Sequence, residues 1–147
     1  MPANPPENMA RITPNVFYDD LGAALEWLTK SFGFETRMSM PGPDGTIMHA
    51  EMQVADSAIM MSPTADTPAW SSPKSLGGKV TTTLYIYVDD VDAHCTRARS
   101  AGATIVSEPE TMFWGDRTYV CEDPEGHRWT FAQHVKEVAP EDMKPPV

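Results

Sequence analysis

Residues 112–133 read MFWGDRTYVCEDPEGHRWTFAQ. Trp114-Gly115-Asp116 is a turn with an aromatic on its shoulder. Arg117 to Glu122 alternates polar and apolar residues, which predicts a half-buried strand. Asp123-Pro124-Glu125-Gly126 carries turn chemistry: Pro124 fixes φ early, and Gly126 takes φ > 0 at no steric cost. His127 to His134 is a second strand. The stretch is therefore a hairpin. Residues 46–61, TIMHAEMQVADSAIMM, are a second one, with Asp56-Ser57 in its turn.

The same order of elements precedes each hairpin. Ile12 to Tyr18 is a strand, with Pro14 marking an edge. Asp19 and Asp20 offer an N-cap. Leu21, Ala24, Leu25, Leu28 and Phe32 fall at helical spacing, which predicts a helix from Leu21 to Phe32 stopped by Gly33. Phe34 to Met40 is a strand, and Pro41 to Gly45 a turn. In the second half Thr82 to Val88 is a strand, Asp89-Asp90 a cap, Val91 to Ala101 a helix, Gly102 its stop, and Ala103 to Ser107 a strand. Asp20 and Asp90, His49 and Tyr119, and Ile59 and Trp129 keep one offset of 70, and Gly33 and Gly102 an offset of 69. Two copies of a strand–helix–three-strand unit follow. The boundaries predicted are a flexible arm at 1–10 and one domain at 11–135. Within that domain lie repeat one at 11–62, a linker or lid at 63–80, and repeat two at 81–135. A flexible tail occupies 136–147.

The chain has 147 residues, 41% hydrophobic, enough for one domain with its own core. A net charge of −10 argues against nucleic acid or an anionic membrane as partner. No apolar run approaches the roughly 20 residues of a membrane span. Two cysteines, Cys95 and Cys121, are too few for a disulfide framework. These features predict a cytoplasmic protein with reduced thiols.

The paired βαβββ order resembles the vicinal oxygen chelate superfamily of glyoxalases, bleomycin-resistance proteins and extradiol dioxygenases. The resemblance rests on DD-[LV] before each helix, the Gly stops and DPEGHRW at 123–129. HAEM at 49–52, SPKSLGG at 72–78 and MFWGDR at 112–117 resemble its PhnB-like branch. It implies an α+β fold: two βαβββ repeats forming a curled eight-stranded mixed sheet around a cup, helices outside. It also implies a homodimer.

Strand alternation assigns faces. It predicts that Asn15, Phe17, His49, Glu51, Gln53, Tyr85 and Tyr87 face the cup. By the offset of 70, Tyr119, Cys121 and Asp123 at the strand's end join them, with Arg117 one step earlier and Arg128 on the outer strand. His49 and Glu51, two apart, are candidate catalytic residues, a carboxylate beside an imidazole being able to act as a general base. Asn15, Phe17, Tyr85, Tyr87, Tyr119, Arg117 and Arg128 are candidate ligand-binding residues, the arginines as an anion clamp. Trp70 and Trp114, in loops at the cup mouth, are candidates for stacking on a ligand. At the positions where the resemblance would place metal ligands stand Thr13, Met60, Thr83 and Thr130. Neutral hydroxyls and a thioether are poor donors for a divalent ion, so no metal or other cofactor is expected there.

Three functions compete. One is metal-independent binding of a small molecule, of the bleomycin-resistance type. The second is an isomerase, lyase or dioxygenase-like enzyme using His49 and Glu51, with Arg117 or a metal at a shifted site. The third is a dimeric scaffold. The absent metal ligands favour the first.

Overall fold

The computed structural model describes residues 1–65 and 68–147. Residues 66–67, inside the predicted lid, lie outside the described residues. The elements run β1 (Asn15–Tyr18), α1 (Leu21–Phe32), β2 (Glu35–Pro41), β3 (Ile47–Val54), β4 (Ser57–Pro63), β5 (Leu84–Tyr87), α2 (Val91–Ser100), β6 (Thr104–Thr111), β7 (Asp116–Glu122) and β8 (Arg128–His134). This is the α+β class with two βαβββ units and eight strands. The strands divide into two four-stranded mixed sheets, ordered β1-β4-β3-β2 and β5-β8-β7-β6. In each, the first strand pairs in parallel with the last, and the other pairings are antiparallel.

Each helix starts where an aspartate caps it. The Asp20 carboxylate accepts from the Ala23 N–H at 3.1 Å, and that of Asp90 from the Ala93 N–H at 3.0 Å. Gly33 ends α1 in the left-handed conformation, φ 75°. One core collects both helices and one face of each sheet. Ala50, Met52 and Met61 come from the first sheet, and Tyr119, Cys121, Trp129 and Phe131 from the second. Phe32, at the end of α1, joins the halves. Its ring lies 4.7 Å from that of Phe131, 5.4 Å from Phe34 and 5.5 Å from Trp129.

The turn at 123–127 is the second joint. The buried Asp123 carboxylate accepts from the Tyr18 hydroxyl at 2.6 Å and the Trp129 indole at 3.0 Å. It also accepts from the backbone N–H groups of Glu125 and His127. The Glu125 carboxylate accepts from the N–H groups of Asp19 and Asp20 ahead of α1, at 2.7 and 3.0 Å. The DPEGHRW stretch thus fastens repeat two to the end of β1. Gly126 takes φ 87°, as its place in the turn requires.

The structure corrects one face assignment. Ala50 pairs with Met61, and Tyr119 with Phe131. From the first repeat to the second, the last strand keeps the offset of 70 (61 to 131), but β7 runs at 69 (50 to 119). The hairpin turn is two residues after β3 and five after β7, and the strand takes up part of the difference. A slip of one residue moves every side chain to the other face. Arg117, Tyr119 and Cys121 therefore lie on the helix-packed face of β7. Asp116, Thr118, Val120 and Glu122 take the open one. Asp116 also begins β7 rather than sitting in the turn.

Candidate functional site

β1 and β5 are edge strands of their sheets. Between β1, the linker and the start of β8 lies a cavity of about 270 Å³. Its walls come from β1 (Asn15, Val16, Phe17), the segment between the repeats (Ser71, Pro73, Leu76, Lys79, Val80, Thr81, Thr82), and the second sheet and its turn (Leu84, His127, Arg128, Trp129), with Pro14 ahead of β1. Pro73–Leu76 form one 3₁₀ turn, closed by Gly77. That turn is anchored because Lys74 N–H donates to the Glu125 carbonyl at 3.0 Å. The His127 Nε2–H donates to the Phe17 carbonyl at 2.7 Å. That carbonyl belongs to an edge strand, and the bond holds the first repeat against the second. The Trp70 ring stacks on Phe17 at 4.6 Å.

The open face of the first sheet carries a connected polar chain. The Ser62 hydroxyl donates to Asn15 Oδ1 at 3.0 Å. His49 Nδ1 is 3.5 Å from Ser62 Oγ, and its Nε2 is 3.9 Å from Glu51 Oε2. Glu51 has a stronger partner: Arg37 Nε donates to its carboxylate at 3.1 Å. Arg37 also reaches Gln53 Oε1 and the Asn8 carbonyl, both at 3.3 Å. The ladder between β2 and β3 shifts between Thr36 and Met38, so Arg37 is the extra residue of a bulge. Alternation alone does not place a bulged residue, and sequence reasoning missed it.

On the open face of the second sheet, Asp116 gathers Tyr85, Tyr87 and His134. Both phenols donate to Asp116 Oδ2, at 2.7 and 2.9 Å, and His134 Nδ1–H donates to Oδ1 at 2.7 Å. The Trp114 indole donates to the Tyr85 hydroxyl at 3.2 Å. Burial would raise the Asp116 pKa, but the hydrogen bonds from Tyr85, His134 and Tyr87 outweigh it and hold it below the usual range. Burial and the bond to Asp116 push Tyr85 up to about 12. The carboxylate thus fixes two tyrosines and a tryptophan on one face. The sequence carries no local signal for this role, since Asp116 reads as a turn residue until the pairing of β7 is known.

Of the other predicted residues, Arg117 is spent on Asp92 of α2 through two bonds of 3.0 Å. The Tyr119 hydroxyl donates to His94 Nδ1 at 2.6 Å inside the core. Burial pushes the Cys121 thiol up to about 12. Arg128 stays on the open face, its Nε donating to Glu122 at 3.0 Å. Apart from Arg117 and Tyr119 on the packed face and Trp70 stacked on Phe17, the candidates fall into three places. Asn15, Phe17 and Arg128 line the cavity; His49 and Glu51 join Arg37; Tyr85, Tyr87 and Trp114 surround Asp116.

The family model described as Glyoxalase/Bleomycin resistance protein/Dioxygenase superfamily matches residues 9–131. The chain belongs to that superfamily. An uncharacterized protein of Mycobacterium tuberculosis strain H37Rv is 36% identical over 138 residues, covering 90% of this chain and 79% of its own. Among solved structures, TioX from Micromonospora sp. ML1 is 32% identical with a TM-score of 0.70, over 86% of this chain and 99% of TioX. TnmS3, an antibiotic binding protein from Streptomyces sp. CB03234, shares the fold at 23% identity and a TM-score of 0.65, over 86% of this chain and 97% of TnmS3.

Metal-binding members of the superfamily would place ligands at Thr13, Met60, Thr83 and Thr130. The Thr13 hydroxyl donates to the Ala10 carbonyl at 3.4 Å. Met60 and Thr130 lie in β4 and β8, and Thr83 just ahead of β5. Three neutral hydroxyls and a soft thioether do not fit a divalent ion. Among the described residues no group of three or more His, Cys, Asp or Glu side chains is arranged to hold one.

Proposed function

We propose that this chain binds a small organic molecule, without a metal, in the cavity between its two repeats. The supporting observation is the cavity itself. It lies between β1, the segment linking the repeats and the start of β8, has apolar walls with a few polar groups, and is bridged by the His127–Phe17 hydrogen bond between the repeats. A binder of the same fold, TnmS3, is consistent with this reading. A thermal-shift screen of drug-sized compounds tests it. At least one compound should raise the melting temperature of the native chain, and Val80→Trp, which fills the cavity, should abolish that rise. Stabilisation that survives Val80→Trp would place binding elsewhere.

The proposal includes a homodimer. Met38, Met40, Tyr85, Tyr87, Val106 and Phe113 are large apolar side chains left exposed in the single chain, surface that a second copy would cover. Light scattering at micromolar concentration should give twice the chain mass; a monomer mass removes this part.

The approach of His49 to Glu51 favours a second reading, acid–base catalysis on the first sheet's open face. The Arg37 ion pair weighs against it, since the Glu51 carboxylate is already engaged by that guanidinium at 3.1 Å and stands 3.9 Å from His49. If the enzyme reading holds, His49→Ala abolishes turnover of a bound compound without lowering the melting temperature.

A further inference from the structure

We infer that the occupant of the inter-repeat cavity carries a single carboxylate on an apolar body; this rests on the binding reading above. The chain holds 21 acidic and 11 basic residues. Yet the cavity lining contains Lys79, His127 and Arg128, and neither aspartate nor glutamate. Elsewhere, Arg37, Lys74, Arg99 and Arg117 each sit against a carboxylate. Lys79 has no ion-pair partner among the described residues. Arg128 gives its Nε to Glu122, and its two terminal nitrogens carry no bond among the described residues. Lys79 and Arg128 share one cavity lining, and a guanidinium edge with an ammonium on the same wall matches a carboxylate in charge.

The remaining wall sets the rest of the ligand. Phe17, Leu76 and Trp129 present ring and branched aliphatic surface, which gains from burying hydrocarbon. A multiply charged anion fits less well. It would meet the repulsion of a chain at −10 with only a small cluster of cations to offset it. The chemistry is that of a medium-chain or aryl monocarboxylic acid.

Calorimetry on the full chain with octanoate and octanamide tests this. The two probes share a body and differ in the charge. Octanoate should bind about tenfold or more tighter than octanamide, the margin of a charge-assisted hydrogen bond. The double variant Lys79→Gln/Arg128→Gln should erase that margin by weakening octanoate alone. Both side chains are exposed, so the variant should melt as the native chain does. Equal affinity for the two probes would overturn the carboxylate inference while leaving the cavity reading in place. No binding of either probe at millimolar concentration would overturn it as well, and the cavity reading would then rest on the screen with Val80→Trp. A margin that survives the double variant would assign the charge recognition to other residues.

Discussion

Asp123 takes four hydrogen bonds on one buried carboxylate, from Tyr18, Trp129, Glu125 and His127. Asp123→Ala strands several donors at once, each costing about 1–3 kcal/mol when buried and unpaired. Urea unfolding should therefore show a loss of at least about 3 kcal/mol. A loss below about 1 kcal/mol would mean that the joint is not a determinant of stability. Two histidines should titrate on opposite sides of their ordinary value, about 6.5. His134 faces Asp116 and Glu137, which raise its pKa. Its stabilising contribution is full below about 6.5 and fades as pH rises through the raised folded value. His94 is half-buried, donates Nε2–H to the Phe32 carbonyl at 3.1 Å and accepts from Tyr119, and desolvation lowers its pKa. The unfolded chain takes up a proton that the folded His94 resists, so this site costs stability as pH falls below about 6.5. Proton NMR of the ring C–H groups should give a midpoint above 6.5 for His134 and below it for His94. The reverse order would contradict both environments. Residue roles were only partly legible. His49 and Glu51 were found together because adjacent same-face positions follow from alternation. Arg37 was not, because a bulge breaks the alternation, and Asp116 reads as a turn residue until its partners on β5 and β8 are known.

The elements were the most readable level. The bounds of α1, Leu21–Phe32, follow from an Asp cap, an apolar stripe and a glycine stop, and the structure has the same bounds. The slip in β7 was not readable. It arises from a difference in turn length, and only the pairing of Tyr119 with Phe131 fixes which face is which. Phe32 is the element-scale hinge, since its ring meets aromatics of α1, β8 and α2. Phe32→Ala should cost roughly 3–5 kcal/mol by the cavity it leaves. It should lower the denaturation midpoint without splitting the transition in two. A biphasic transition would mean that the repeats do not share one core. At the turn before β7, Gly115 has φ 100°, and a Cβ there would lie 2.0 Å from the Lys136 carbonyl oxygen. Gly115 C=O also accepts from the N–H groups of Val135 and Lys136. Gly115→Ala should destabilise by more than about 1 kcal/mol, through φ and the clash together. Faster amide exchange at Val135 and Lys136 should accompany it; unchanged exchange there would show that the strand end does not depend on this turn.

At the scale of the whole molecule, the pairing of two βαβββ units was visible in the offsets near 70 and in the punctuation of caps, glycines and turns. The place of the cavity was not. It depends on how β1, the linker and β8 approach one another, which no local pattern encodes. Asn15, Phe17 and Arg128 were named from alternation, but Lys79 and Val80 come from a segment without period. That cavity is the proposed place where a small molecule is held. Amide chemical-shift mapping of the native chain tests it most directly, with the first compound that stabilises the protein. The account predicts the largest shifts at Val16, Phe17, Val80, His127 and Arg128. Shifts centred on Tyr85, Tyr87 and Trp114, or on His49 and Glu51, would contradict it.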